Sequence, residues 1–294
     1  MENLTRLKDQ NNAVILAHVY QRGEVQDIAD FVGDSLDLSR KAVSTEADVI
    51  VFCGVLFMAE TAAILNPEKT VLLPDINAGC GLADMATAEQ LVELKKRFPE
   101  AAAVSYVNSS AAVKAESDIC CTSANAIDVV NSLPNGQILF VPDRNLGSHV
   151  AEHTKKNIIL WDGYCYVHEE ITTAQLAALR EKHSGAQVIV HPECPGPVRH
   201  MADFIGSTSQ MLRYVKTSEQ TEFIVGTEDN FTYRLKSDNP DKIFYPVHSL
   251  CEGMNEITLD KVESALEKMQ HRITVPEEIR TRAQKALDKM LAVR

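Results

Sequence analysis

Three of the seven cysteines, Cys80, Cys165 and Cys251, stand 85 and 86 residues apart. Each comes soon after a strand-like apolar run: TVLLPD, NIILWD and KIFYPV. Equivalent placement in three successive units argues against three unrelated buried thiols. A structural zinc site wants four ligands, usually in close Cys-x-x-Cys pairs, and the chain contains no such pair. A catalytic zinc with three cysteines stays open. A [4Fe–4S] cluster on three cysteines is the more natural match, because its fourth iron remains free to act as a Lewis acid. Cys53 sits in an apolar run and reads as core. Cys120, Cys121 and Cys194 have no counterparts in the other units and read as ordinary small core residues.

A second set of residues shares the same spacing. His18 and Tyr20, Tyr106 and Asn108, and His191 and Glu193 each follow an apolar run, two residues apart. On extended chain such pairs point the same way. His, Tyr and Glu are common proton-transfer groups, so the pairs form a candidate acid–base shell. Glu193, next to His191, is expected to have its pKa raised by burial. Asp30, Asp118 and Asp203 recur at equivalent places, each followed five residues later by a hydroxyl: Ser35, Ser123 and Thr208. These hydroxyls are expected to begin helices. There they would serve either as N-caps or at helix ends whose N–H groups bind carboxylate or phosphate. His168 and His248 lie three residues from Cys165 and Cys251 and are candidates to line the cavity or shield the metal. His149, His153, His183, His200 and His271 read as surface residues.

Elements that position these groups also repeat. AVILAHVYQRGEVQDIADFVGDS, AAVSYVNSSAAVKAESDICCTS and QVIVHPECPGPVRHMADFIGST share one order: apolar run, polar turn, helical stretch, small-residue corner. VIVFCG, ILFVPD and FIVGTE continue each unit as buried strands. Strands alternating with helices predict α/β units with mainly parallel sheets. The chain is therefore read as three similar α/β/α three-layer domains, 1–84, 85–169 and 170–256, around a pseudo-threefold axis. A helical tail, 257–294, is expected to pack on the first domain. Ligands of open α/β sheets bind beyond the carboxyl ends of the strands. Three such edges meeting would form one cavity, with thiolates at one end and polar walls.

Composition narrows the partners. With 29 Lys and Arg against 41 Asp and Glu, the net charge is −12, which disfavours nucleic acid or an anionic membrane as the main partner. The longest apolar stretch, Val49 to Ala59, is too short to span a bilayer. The polar start, MENLTRLKDQNN, lacks a signal-peptide core, so a cytoplasmic location is expected. An odd number of cysteines argues against a disulfide framework. No Gly-x-Gly-x-x-Gly follows the first strand, which leaves a dinucleotide domain poorly supported.

From about Ile15 to Thr258 the chain resembles the quinolinate synthase family, the A protein of de novo NAD biosynthesis. The matching segments occur in order: LAHVYQ, QDIADFVGDSL, FMAE, ILNP, AGCGLAD, YVNSS, CTSANA, PDRNLG, GYCYVHE, HPECP, GSTSQM, GTE and CEGMNEITL. The resemblance implies a transferase that condenses iminoaspartate with dihydroxyacetone phosphate to quinolinate, losing phosphate and two waters. It implies one [4Fe–4S] cluster on Cys80, Cys165 and Cys251. It also implies active-site roles for His18, Tyr20, Ser35, Tyr106, Asn108, Ser123, His191, Glu193 and Thr208, and a transient contact with the iminoaspartate-producing enzyme. Two positions depart from the family: Cys120, where an aliphatic residue is usual, and Tyr166, where proline is frequent. The residues alone also fit an iron–sulfur hydro-lyase acting on a small hydroxy acid, or a non-catalytic cluster carrier or redox sensor.

Overall fold

A computed structural model describes residues 2–293. Among the described residues, twelve strands form three sheets of four. The first holds β1 (Ala13–His18), β2 (Phe31–Gly33), β3 (Val49–Cys53) and β4 (Thr70–Leu72). The second holds β5 (Ala102–Tyr106), β6 (Ile119–Cys121), β7 (Gln137–Val141) and β8 (Asn157–Leu160). The third holds β9 (Gln187–Val190), β10 (Phe204–Ile205), β11 (Glu222–Gly226) and β12 (Ile243–Pro246). Each sheet runs second–first–third–fourth strand, so β1, β5 and β9 take equivalent places. All the named pairings are parallel. Central strands are near-continuous apolar runs because helices cover both faces. Ile15, Leu16, Ile50, Val51, Leu139, Phe140, Phe223 and Ile224 are all fully buried.

The repeated aspartates have a structural explanation. Asp30 Oδ2 accepts from Ile15 N at 2.8 Å, Asp118 Oδ2 from Ala103 N at 2.7 Å and Asp203 Oδ2 from Val188 N at 2.8 Å. Each also donates its own N–H to the carbonyl of the same partner. Each carboxylate thus locks the very short second strand onto the first. A cation from the helix before the first strand covers each one: Lys8, Lys95 and Arg180. The second strand carries the chain to the hydroxyl corner, so this clamp sets where Ser35, Ser123 and Thr208 fall.

The tail divides between two sheets rather than resting on the first alone. Helix Leu259–Lys268 packs on helix Glu2–Gln10 and β3. Helix Glu277–Ala292 packs on helix Ala111–Ala115, β6 and helix Leu56–Leu65, burying Ala283, Ala286, Leu287 and Met290. Between them, Arg272 forms an antiparallel bridge with Leu72 at the edge of β4.

Candidate active site

His18 ends β1, Tyr106 ends β5 and His191 follows β9, so all three occupy the carboxyl edge of a first strand. A local turn fixes the pairs. The backbone N–H of Tyr20 donates to His18 Nδ1 at 3.1 Å, and that of Glu193 approaches His191 Nδ1 at 3.4 Å. In the second unit the turn is held differently: Ser109 Oγ donates to the Tyr106 carbonyl at 2.9 Å. One cavity receives all six of these side chains, the hydroxyl residues Ser35, Ser123 and Thr208, and the three cysteines Cys80, Cys165 and Cys251.

Of the two roles the sequence leaves open for the hydroxyls, N-cap and cavity-facing helix end, the structure does not show the first. Asp34 caps helix Ser35–Ser44, its side chain accepting from Leu36 N and Asp37 N. Ser207 caps helix Thr208–Thr217 in a capping box with Gln210. Helix Ala126–Ser132 begins after Ser123, and Asn125 Oδ1 accepts from Thr122 N at 2.8 Å. Asp34 and Ser207 thus cap the first and third helices, helix Ala126–Ser132 has no side-chain cap, and the three hydroxyls are left to the cavity. The end at Ser35 already holds a carboxylate, Asp34, which makes it a poor anion site. The end at Thr208 has a neutral cap and keeps its partial positive charge. Ser123→Ala and Thr208→Ala should therefore raise KM about ten- to hundredfold with unchanged melting temperature. Ser207→Ala should do the reverse, costing about 1 kcal/mol of stability. Parallel thermal melts and kinetics check both; a melting loss in Thr208→Ala with normal KM would contradict the assignment.

Glu193 is the electrostatic centre of the wall. Its Oε2 lies 2.9 Å from His168 Nδ1 and 3.1 Å from His191 Nδ1, with all three residues buried. The first contact is a close polar approach rather than an aligned hydrogen bond. The two imidazole rings stack, 4.6 Å apart. Burial pushes the Glu193 pKa up, but His168 and His191 outweigh it and hold the carboxyl well below its usual range. The expectation of a raised value is corrected on this ground: it overlooked the second imidazole. Burial lowers His18 to about 4, against the pull of Asp34. Burial also raises Tyr20 and Tyr106 well above the ordinary phenol range. A polar chain crosses the wall: Tyr20 OH to Thr227 Oγ1 at 2.6 Å, Thr227 Oγ1 to His168 Nε2 at 2.8 Å, Glu193, then His191 Nε2 to Ser123 Oγ at 3.2 Å. Asn108 Oδ1 and Glu193 Oε1 are buried without partners.

The cysteine loops are pinned from behind. Asp143 Oδ2 accepts from Cys165 N at 3.2 Å, and Glu228 Oε1 from Cys251 N at 3.4 Å. Glycines allow the loops to press together. A Cβ on Gly253 would meet the Gly79 carbonyl at 2.1 Å, and one on Gly163 the Pro142 carbonyl at 2.3 Å. Tyr166, the departure from the family pattern, accepts from Glu252 N at 2.9 Å and so ties the second cysteine loop to the third. Burial raises Cys80 to about 12, and raises Cys165 and Cys251 also.

Several residues fall elsewhere. Cys53, Cys120, Cys121 and Cys194 are buried away from this lining. His248, a candidate to shield the metal, points out with an 85 % exposed side chain. His149, expected on the surface, is buried. It stands near His153 and Glu152, but the buried Arg199 guanidinium already pairs with Glu152 at 2.8 Å. Thr227 was missed by the sequence reading. Its signal was the polar turn after the third strand of its unit, where Asp143 sits in the unit before.

Comparison with known proteins identifies the family. The profile described as Quinolinate synthetase A protein matches residues 2–292. Quinolinate synthase 1 of Methanosarcina acetivorans is 53% identical over 296 residues, covering 100% of this chain and 97% of that protein. Quinolinate synthase of Methanoregula boonei is 53% identical over 294 residues, covering 99% and 97%. That of Thermodesulfovibrio yellowstonii is 51% identical over 296 residues, covering 100% and 98%. With a match over nearly its whole length, and relatives this similar from end to end, the chain belongs to the Quinolinate synthetase A protein family.

Proposed function

We propose that the protein is a transferase of NAD biosynthesis that condenses iminoaspartate with dihydroxyacetone phosphate to quinolinate, releasing phosphate and two waters. The observation that carries this reading is the convergence of three thiols with a Tyr, His and Glu wall in one cavity.

The donor set suits a [4Fe–4S] cluster. Three unpaired thiols line one cavity, and each would need a cation to ionise, since burial keeps it protonated. Carboxylates hold two of the loops by their backbone, not by their sulfur, leaving the thiols as donors. Cys80, Cys165 and Cys251 would hold the cluster; when bound, it supplies an open Lewis-acidic iron.

The remaining steps fall to the chain. Iminoaspartate brings two carboxylates and the triose a phosphate. Ser123 and Thr208 with its helix end would bind these anions, and the Asn108 side-chain NH2 would donate to them. Neutral His18 would donate a hydrogen bond without adding charge. Ionised Glu193 would orient His168 and His191 for proton transfer, with Tyr20 and Tyr106 completing the set. Apolar Val55, Phe57, Met58 and Met254 line the cavity too and exclude water from the reacting carbons.

A cytoplasmic setting belongs to the same proposal: the seven cysteines are all free. Among the described residues, no helix is long and apolar enough to cross a membrane. Imines hydrolyse in water, so a transient contact with the enzyme supplying iminoaspartate is also proposed.

Phosphate release decides between this reading and a hydro-lyase. Phosphate should appear only when triose phosphate and iminoaspartate are both present, in step with quinolinate. Dehydration of a hydroxy acid without triose phosphate would overturn it. Gly253→Ala tests the cysteine cradle. The added methyl collides with the Gly79 carbonyl, so anaerobically prepared protein should keep its fold by circular dichroism yet lose most of its iron.

A further inference from the structure

Helix Arg144–Ala151 ends on three metal-binding side chains outside the catalytic cavity. Glu152 N still donates to the Ser148 carbonyl and His153 N to that of Val150, so the last turn runs on to His153. His149, Glu152 and His153, three and four residues apart, therefore share one face. One ligand atom from each lies within 4.8 Å of the other two. The imidazole rings are 4.6 Å apart, and His149 Nδ1 is 3.9 Å from Glu152 Oε2. We propose that His149, Glu152 and His153 form a site for a divalent transition metal of the zinc type, separate from the three cysteines and independent of the function proposed above.

The donors are free and already oriented. His153 Nδ1 lies 2.8 Å from the His149 carbonyl. A carbonyl only accepts, so Nδ1 carries the proton and Nε2 of the neutral ring keeps its lone pair. A metal-binding imidazole is usually held in this way. His149 is only 8 % exposed, and its Nδ1 is buried without a hydrogen-bond partner; 3.9 Å is too long for a bond to Glu152. A metal on that nitrogen would remove the cost of leaving it unpaired. Arg199 takes only Oε1 of Glu152, at 2.8 Å, and leaves Oε2 available. The guanidinium also donates to the carbonyls of Asn145 and Cys194, so it stands fixed and orients the carboxylate from behind. The partial negative charge of the helix C-terminus favours a cation here.

The donor chemistry selects the metal. Two imidazoles and one carboxylate suit zinc, cobalt or nickel, whereas magnesium and calcium want oxygen ligands throughout. Metal–ligand bonds of about 2.0–2.2 Å need these atoms to close up by less than an ångström or so, which the exposed Glu152 and His153 side chains can supply by rotation. Three protein ligands leave a fourth position open. His149 and His153 line a groove of about 720 Å³, which gives the metal an entry path and room for a bound water. Ser123 lines both this groove and the catalytic cavity.

Cluster-replete protein, dialysed without oxygen against zinc, should take up one zinc per chain with its iron content unchanged. The zinc X-ray absorption spectrum should show nitrogen and oxygen at about 2.0–2.1 Å and no sulfur at about 2.3 Å, which separates this site from the cavity thiols. His153→Ala and Glu152→Gln alter exposed side chains, and the glutamine can still accept from Arg199, so both should melt like wild type without zinc. Each should weaken zinc binding about a hundredfold or more, since loss of an outer partner alone costs about 10–100-fold. Zinc should raise the melting temperature of wild type and of neither variant, and excess magnesium should not compete. No zinc uptake, zinc held through sulfur alone, or His153→Ala protein that binds zinc as tightly as wild type would overturn the inference. A second zinc with a sulfur shell would contradict the cluster assignment and leave this site standing.

Discussion

Cys165→Ala, purified without oxygen, should contain almost no iron or sulfide and lack the brown colour expected of the wild type. On the proposed ligand set one iron would already have no protein ligand, and loss of another cysteine would leave the cluster with only two. Cys165 is also firmly placed: Asp143 holds its N–H, and the Gly163 turn presses its loop onto Pro142. The loop itself should survive the change because those contacts are made by backbone and by Asp143. Circular dichroism and melting of the apoprotein should therefore match those of apo wild type. Cys53→Ala and Cys194→Ala, buried elsewhere, should retain full iron. Normal iron in Cys165→Ala, or stoichiometric zinc with no iron in the wild type, would contradict the ligand assignment.

Glu193→Gln should lower turnover by about 10²–10⁴ while leaving the cluster spectrum intact. The glutamine keeps the size but removes the charge that two imidazoles face at 2.9 and 3.1 Å. His168 and His191 would then lose the group that fixes their tautomers, and the bonds to Thr227 and Ser123 would lose their direction. Because His168 and His191 hold the carboxyl well below its usual range, Glu193 stays ionised throughout the neutral range. An acid limb in the turnover profile near neutral pH must then belong to another group, and it should persist in Glu193→Gln. If instead the residue merely pins its loop, the change should lower the melting temperature and leave turnover within a few fold. That pairing would remove Glu193 from the mechanism and leave Tyr20 and Tyr106 as the proton-transfer candidates.

The strands were legible because apolar runs such as VIVFCG and ILFVPD are short, bounded by turns and buried on both faces. The three sheets of identical order follow from the threefold repetition of those runs. The gathering of the candidate residues in one cavity was legible for the same reason: equivalent residues of equivalent units lie at equivalent strand ends. What the sequence hid depends on one-residue offsets and on tertiary partners. Asp34 and Ser207, each one position ahead of the expected hydroxyl, take the capping role. Which residue caps is decided by the dihedral angles at the corner, and a Gly-Asp-Ser or Gly-Ser-Thr string offers two candidates. His168 and Thr227 reach Glu193 and Tyr20 from other units, and no spacing rule links them. The direction of the Glu193 shift depended on those partners, since desolvation alone has the opposite sign. The tail gave only amphipathic helices, and an apolar stripe does not name the surface it covers.

The central claim is carbon–carbon bond formation between the two substrates in the cavity. It is tested most directly by supplying cluster-replete protein with iminoaspartate and uniformly ¹³C-labelled dihydroxyacetone phosphate, then taking the mass spectrum of any quinolinate formed. The account predicts quinolinate carrying all three triose carbons in its ring from the wild type, and none from Cys165→Ala. Cluster-replete wild type that yields no quinolinate, or quinolinate without the label, would contradict it.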